Sequence, residues 1–341
     1  MRFFVFLLGQ QPAHVDSADV YRELINDAEL AEQLGFDGLW VAEHHFSTYC
    51  VVPNTLTLLA SIAKRTSRIR IGSAVVVLPL HNAVRVAEEA AMVDHLSEGR
   101  LELVLGRGFQ PLEFAGLGYE LADSQRRLSE GIAILKHLWE RPDRPFEGPS
   151  VRLPALTAMP MPRQRPHPPL WLACGSQRSI EAAMERSLHV VLTAGIEGLG
   201  KFQELKRAFE TRRQALDGRV DLEFGVQCYA FVSSDPAARR RAIEAARQVH
   251  RLGNLLRRGE GVIRRGVLDD PGPQPDDPAD DTVRSSTLIG DEHEVADRLA
   301  WFAEQGVTTM SLIFRFGELS SEEVRESMAR MARLVRVGAL R

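Results

Sequence analysis

Cysteine is scarce in this chain. The 341 residues hold three, Cys50, Cys174 and Cys228. An odd number with no C-x-x-C spacing excludes a disulfide scaffold and fits a reducing compartment, so a cytoplasmic location is expected. Charge of one sign is missing as well. The net charge is −4, and the pairs Arg126-Arg127, Arg212-Arg213, Arg257-Arg258 and Arg264-Arg265 mostly have acidic neighbours. That leaves no basic stripe for a nucleic acid. No apolar run reaches the roughly 20 residues of a membrane span. The stretch Phe3–Leu8 is too short for a signal sequence and reads as a first, fully buried strand. No G-x-G-x-x-G opens a helix after it, which counts against a doubly wound dinucleotide-binding sheet. What is present, 44% apolar and 26% charged residues, suits an ordinary globular enzyme.

Apolar runs of strand length alternate with segments of helical period. Strands are expected at Phe3–Leu8, Gly38–Ala42, Ile69–Val77, Leu101–Leu105, Leu170–Ala173, Leu188–Thr193, Phe224–Val232 and Thr309–Phe314. They are hydrophobic throughout rather than alternating, so both faces are buried, as in a parallel sheet. Helical spacing marks Val20–Leu34, Leu56–Ala63, Ala83–Leu96, Leu128–Trp139, Ser179–Ser187, Phe202–Leu216, Val295–Phe302 and Val324–Val335. Eight strands, each followed by a helix, predict an α/β fold, a (β/α)8 TIM barrel forming one domain over residues 1–341. Two segments exceed a minimal barrel. Pro142–Pro169 holds nine of the eighteen prolines and reads as a non-helical connection. Leu255–Gly290, a long insertion after strand 7, reads as a lid, because loops at that end of a barrel carry function.

The chemistry is expected at Glu43-His44-His45, directly after the second strand and so at the barrel's C-terminal mouth. Histidine titrates near neutrality and can give or take a proton there. Adjacent strand residues point to opposite faces. If His44 faces the site, His45 therefore packs away from it, and the two diverge too far to chelate; no metal is expected. Glu43 either orients an imidazole, hydrogen-bonds a cofactor, or forms a salt bridge behind the barrel.

Several motifs, in order and at conserved spacing, make the chain resemble the luciferase-like flavin-dependent monooxygenases, the family of the bacterial luciferase α subunit. They are Val41–Phe46, Ile71–Pro79, His81–Glu88, Asp94–Arg100, Gly106-Arg107-Gly108, Pro160–Ala173 and Phe314–Gly317. The resemblance implies an enzyme that takes reduced FMN from a separate flavin reductase and reacts it with O2. A C4a-peroxyflavin would then oxidise a small organic substrate. A sister branch uses the deazaflavin F420 for hydride transfer, and a non-catalytic flavin-binding subunit is a further alternative. The assembly implied is a homodimer or family heterodimer, with the Leu56–Ala63 and Val84–Leu96 helices as candidate faces, core being the equal alternative for them.

By the same resemblance, His44 is the catalytic histidine, with Glu43 beside it, and Ala74-Val75 is the place of a non-prolyl cis peptide under the flavin ring. The phosphate falls to Arg107 and Arg126, with Arg127 as the alternative to the latter. Gly175, Ser176 and Ser179 open the helix after the fifth strand, where amides could cradle an anion and where an ordinary N-cap is the plainer reading. The chain departs from the luciferase pattern at Gly106, Gln110, Glu113 and Gly175. Gly106 and Phe109 are expected to reshape the pocket for a bulkier substrate.

Overall fold

The computed structural model describes residues 1–215 and 221–336. Eight parallel strands close into a barrel: β1 (Arg2–Leu7), β2 (Gly38–Val41), β3 (Arg70–Val77), β4 (Leu101–Gly106), β5 (Leu170–Ala173), β6 (His189–Thr193), β7 (Phe224–Val232) and β8 (Thr309–Ile313). Each pairs with its sequence neighbours, and β8 pairs with β1 to complete the ring. All eight expected strands are present, most with ends shifted by a residue or two. The helices outside them are α1 (Ser17–Leu34), α2 (Thr55–Arg65), α3 (Ala83–Leu96), α4 (Pro111–Gly116), α5 (Ser124–Glu140), α6 (Gln177–Glu185), α7 (Gly200–Ala215), α8 (Pro236–Arg258), α9 (Asp280–Ser286), α10 (Glu292–Glu304) and α11 (Ser321–Arg336). The end expected for α7, Leu216, lies outside the described residues.

Strand alternation sends Phe4, Trp40 and Trp171 into the barrel, where Trp40 lies 4.9 Å from Phe4 and 5.3 Å from Trp171. Below them Glu102, 1% exposed, accepts from Arg2 (2.9 Å), Arg70 and the Trp171 indole (3.0 Å). Arg2 also reaches Glu223 at 2.7 Å. This ionic floor closes the N-terminal end, so any open site lies at the other mouth.

Two of the motifs noted above hold the scaffold rather than a ligand. Arg100 donates to the carbonyls of Ala63, Thr66, Ile69 and Ser97, which ties the end of α2 to the turn before β4. Arg315 forks onto buried Asp27 (2.7 and 2.9 Å) and reaches Glu23 (3.0 Å), latching the segment after β8 to α1. On α2 and α3, Leu56, Leu59, Ile62, Val86, Ala87, Ala90 and Val93 are buried within this chain's own core.

Both long connections have more structure than the sequence suggested. Pro142–Pro169 contains an antiparallel hairpin, 144–147 with 152–156. The insertion after β7 opens with α8, a 23-residue helix that periodicity had not singled out. Residues 255–290 then contain the end of that helix, a hairpin (263–264 with 267–268), α9, and a short strand, 288–290, paired with the end of β7. The acidic, proline-rich stretch is anchored. Arg251 meets Asp277 at 2.6 Å and Glu244 at 3.0 Å, and Gln248 meets Asp270 at 2.9 Å. The hairpin turn is tied to the loop after β2, with Thr48 N donating to Gly266 O at 2.7 Å.

Candidate active site

β2 ends at Val41, and Ala42 N still donates to Leu7 O at 3.0 Å, so the strand's alternation continues past its end. It sends His44 to the side of Trp40 and Ala42, and His45 with Glu43 to the opposite side. The two histidines diverge as expected. His44 Nδ1 lies 2.9 Å from Glu113 Oε1, on α4, and 2.8 Å from the Gln110 amide. The same Glu113 oxygen accepts from His45 N at 3.0 Å. Glu113 and Gln110 are each 1% exposed. A carboxylate in that position accepts a hydrogen bond from Nδ1–H, which leaves Nε2 with its lone pair. Nδ1 cannot donate to Glu113 and also accept from an amide N–H. Turning the Gln110 carbonyl toward the ring removes the conflict by letting it share the Nδ1–H with Glu113. Nε2 has no partner among the described residues and is the nitrogen available to a reacting group.

Glu43 does not serve His44. Its Oε1 accepts from His81 Nε2 at 2.8 Å and lies 3.3 Å from His45 Nε2. Glu113 rather than Glu43 holds the His44 ring, and Glu43 orients two other imidazoles, His45 and His81, behind the strand. The ligand atoms of Glu43, His45 and His81 lie within 4.8 Å of one another, a spacing that could hold a metal ion, but the shared hydrogen bonds already account for it. Burial pushes the Glu43 carboxyl up, yet the bonds from His45 and His81 outweigh it and hold the group below its ordinary value. Burial pulls His81 down, and the Glu43 bond and charge outweigh that and raise it. Stability from a lowered carboxyl is lost as pH falls; stability from a raised histidine is lost as pH rises through its folded value. Both contributions are complete only at roughly pH 5–6, between the two ordinary pKa values. Glu43→Gln should therefore lower Tm most in that window, with the gap to wild type narrowing below about pH 4 and above about pH 8.

Around His44 stand Tyr49 (ring centroids 5.1 Å apart) and Phe109 (5.9 Å), both edge-on. Burial pushes the Tyr49 hydroxyl up to about 12, so it stays protonated. The Arg257 guanidinium lies 4.6 Å from the centroid of Phe109. Sequence reasoning left Tyr49, His81 and Arg257 aside, since each joins the site only through the fold.

The Ala74-Val75 bond is cis, as the resemblance implied. Gly106 does not open the pocket. A Cβ there would sit 2.5 Å from Val75 Cγ2, so the glycine makes room for Val75 and not for a bulkier substrate. Arg107 is exposed and makes no hydrogen bond or ion pair among the described residues. Arg126 is committed elsewhere, to Ser150 and to Asp123 at 3.2 Å. Arg127 donates to Pro79 O at 2.6 Å and lies 4.0 Å from the centroid of the Tyr119 ring. Ser176 and Ser179 form a capping box at the start of α6, with Ser179 Oγ accepting from the amides of Gly175 (3.2 Å) and Ser176 (3.0 Å). The plainer N-cap reading therefore describes both serines. Among the described residues, the exposed Arg178 side chain makes no hydrogen bond or ion pair, and the first helical amides of α6 lack intrahelical partners.

The luciferase-like monooxygenase family model matches residues 1–309. The oxygenase component of a flavin-dependent trigonelline monooxygenase from Acinetobacter baylyi is 26% identical over 341 residues, 97% of this chain and 93% of that one. Among solved structures, the monooxygenase RslO1 from Streptomyces bottropensis superposes with a TM-score of 0.87 at 26% identity, covering 99% of each chain. At lower identity the barrel alone is shared. Examples are the oxygenating constituent of 3,6-diketocamphane monooxygenase from Pseudomonas putida in complex with FMN (18%, TM-score 0.77, 98% and 97% covered) and an F420-dependent secondary alcohol dehydrogenase (17%, TM-score 0.71, 100% and 99% covered). The chain belongs to the luciferase-like monooxygenase family.

Proposed function

We propose that this luciferase-like chain is the oxygenase of a two-component system. It would receive reduced FMN from a separate flavin reductase and use O2 to oxidise a small organic substrate. The observation that carries the reading is His44, fixed through Nδ1 by buried Glu113 and free at Nε2. When bound, reduced FMN supplies the activation of oxygen. The protein's share is to hold the flavin, exclude water and move protons. The unpartnered Arg107 guanidinium and the amides at the start of α6 suit a phosphate. The cis Ala74-Val75 backbone is offered to the ring. His44 Nε2 is positioned to take and return a proton, with Glu113 steadying the imidazolium. The presence of His44 and Arg107, which match the family pattern, disfavours a non-catalytic subunit. No helix among the described residues is long and apolar enough to cross a membrane, and the three cysteines are free and buried. We place the chain in the cytoplasm as a single barrel domain, acting as a homodimer or with a family partner.

F420-dependent hydride transfer is the reading to be separated from this one. Anaerobic titration with reduced FMN and with reduced F420 does so, and tighter binding of F420 would reverse the assignment. Arg107→Ala should weaken reduced FMN by about 10–100-fold, the worth of one charge-assisted hydrogen bond to phosphate. An unchanged Kd, read from the same titration, would remove Arg107 from the phosphate site.

A further inference from the structure

We propose that Arg257 selects the substrate of this site, and that the substrate is an aromatic carboxylate. The inference rests on the monooxygenase reading for what happens at His44, and on its own geometry for what binds.

The last turns of α8 carry four arginines. Arg247 has Glu244 (3.4 Å) and Asp280 (2.6 Å), Arg251 has Asp277 and Glu244, and Arg258 has Glu260 at 2.8 Å. Arg257 has no carboxylate and no hydrogen bond among the described residues. Its guanidinium lies 4.6 Å from the centroid of Phe109. A stacked guanidinium keeps its N–H groups at the rim, where they form a planar fork matched to a carboxylate. Glu113, the acid beside His44, is already taken by His44 and His45 N.

The surroundings are flat and aromatic. Phe109 and Tyr49 both meet His44 edge-on. Tyr49 fits because α8 has glycine at position 253, where a Cβ would be 3.0 Å from the Tyr49 hydroxyl. Arg257 follows four residues later, on the same face of α8. A cation lacking an anion, stacked on the ring beside His44, is the arrangement expected where the anion arrives with the ligand.

The test uses benzoate and its neutral isostere benzamide, titrated into the full-length protein with and without bound FMN and followed by ligand-observed NMR and the flavin spectrum. Wild type should prefer benzoate by about tenfold or more, as a charge-assisted fork predicts. Arg257→Gln should erase the preference, Arg257→Lys should keep part of it, and the Kd for FMN should stay within about twofold of wild type in both. Equal binding of the two probes, no binding of benzoate, or a preference that survives Arg257→Gln would overturn the proposal. So would a loss of FMN affinity in Arg257→Gln, which would assign the residue to the flavin phosphate. If wild type binds no FMN but still prefers benzoate through Arg257, the monooxygenase reading fails and the anion site stands.

Discussion

His44→Ala should lower single-turnover oxidation of substrate by about 10²–10⁴-fold, the usual worth of a positioned acid–base group. The Kd for reduced FMN should change little, because the phosphate and ring contacts assigned above use other residues. The expectation follows from one geometric fact. Nδ1 is consumed by Glu113 at 2.9 Å, so the ring's only reactive nitrogen is Nε2. Glu113→Gln should act through His44 and be milder. It keeps a polar group beside Nδ1 but loses the carboxylate acceptor that fixes the ring, and its signature is a lowered single-turnover rate with FMN affinity unchanged. A His44→Ala enzyme that turns over within about fivefold of wild type would sink the assignment.

Glu102→Ala should cost about 3 kcal/mol of stability, the lower end of what breaking a buried ionic cluster costs. Arg2 and Arg70 are each about 30% exposed and can partly rehydrate, which is why the lower end is chosen. The Trp171 indole cannot, since the residue is fully buried and its N–H donates to Glu102 Oε2 at 3.0 Å. Urea unfolding followed by tryptophan fluorescence reads the change directly, with the midpoint falling and the slope preserved. A loss below about 1 kcal/mol would mean that the floor of the barrel is not held by this carboxylate. The two predictions separate cleanly, because Glu102 lies at the opposite end of the strands from His44.

The architecture was legible because it is local and repetitive. Each strand is an apolar run, and each helix a periodic one. His44 was legible for a related reason: it sits just past a strand whose alternation can be counted. Its partner was not, because Glu113 lies 69 residues away on a helix of six residues, too short to show a period. The helix α8 was missed although its signals are present. Asp235 caps Ala237 and Ala238, Pro236 stands at the first turn, and Ala238, Ala242, Ala246 and Val249 trace its buried stripe. Alanine is a weak hydrophobic marker, and the arginines between masked the pattern. Gly106 shows a different limit. A glycine where the chain departs from the luciferase pattern suggests open space, but the space belongs to Val75, and only the fold reveals which neighbour fills a gap. Arg126 and Arg127 differ by one position in sequence and by a complete change of partners in space.

The most direct test of the central claim is to bind reduced FMN anaerobically, mix the complex with O2 in a stopped-flow spectrometer, and follow the return of oxidised flavin. The account predicts tight binding of reduced FMN. It also predicts reoxidation that is much slower than for free reduced FMN, preceded by a distinct transient absorbance and altered in His44→Ala. Reoxidation at the rate of free flavin with no transient, or failure to bind reduced FMN at all, would contradict it.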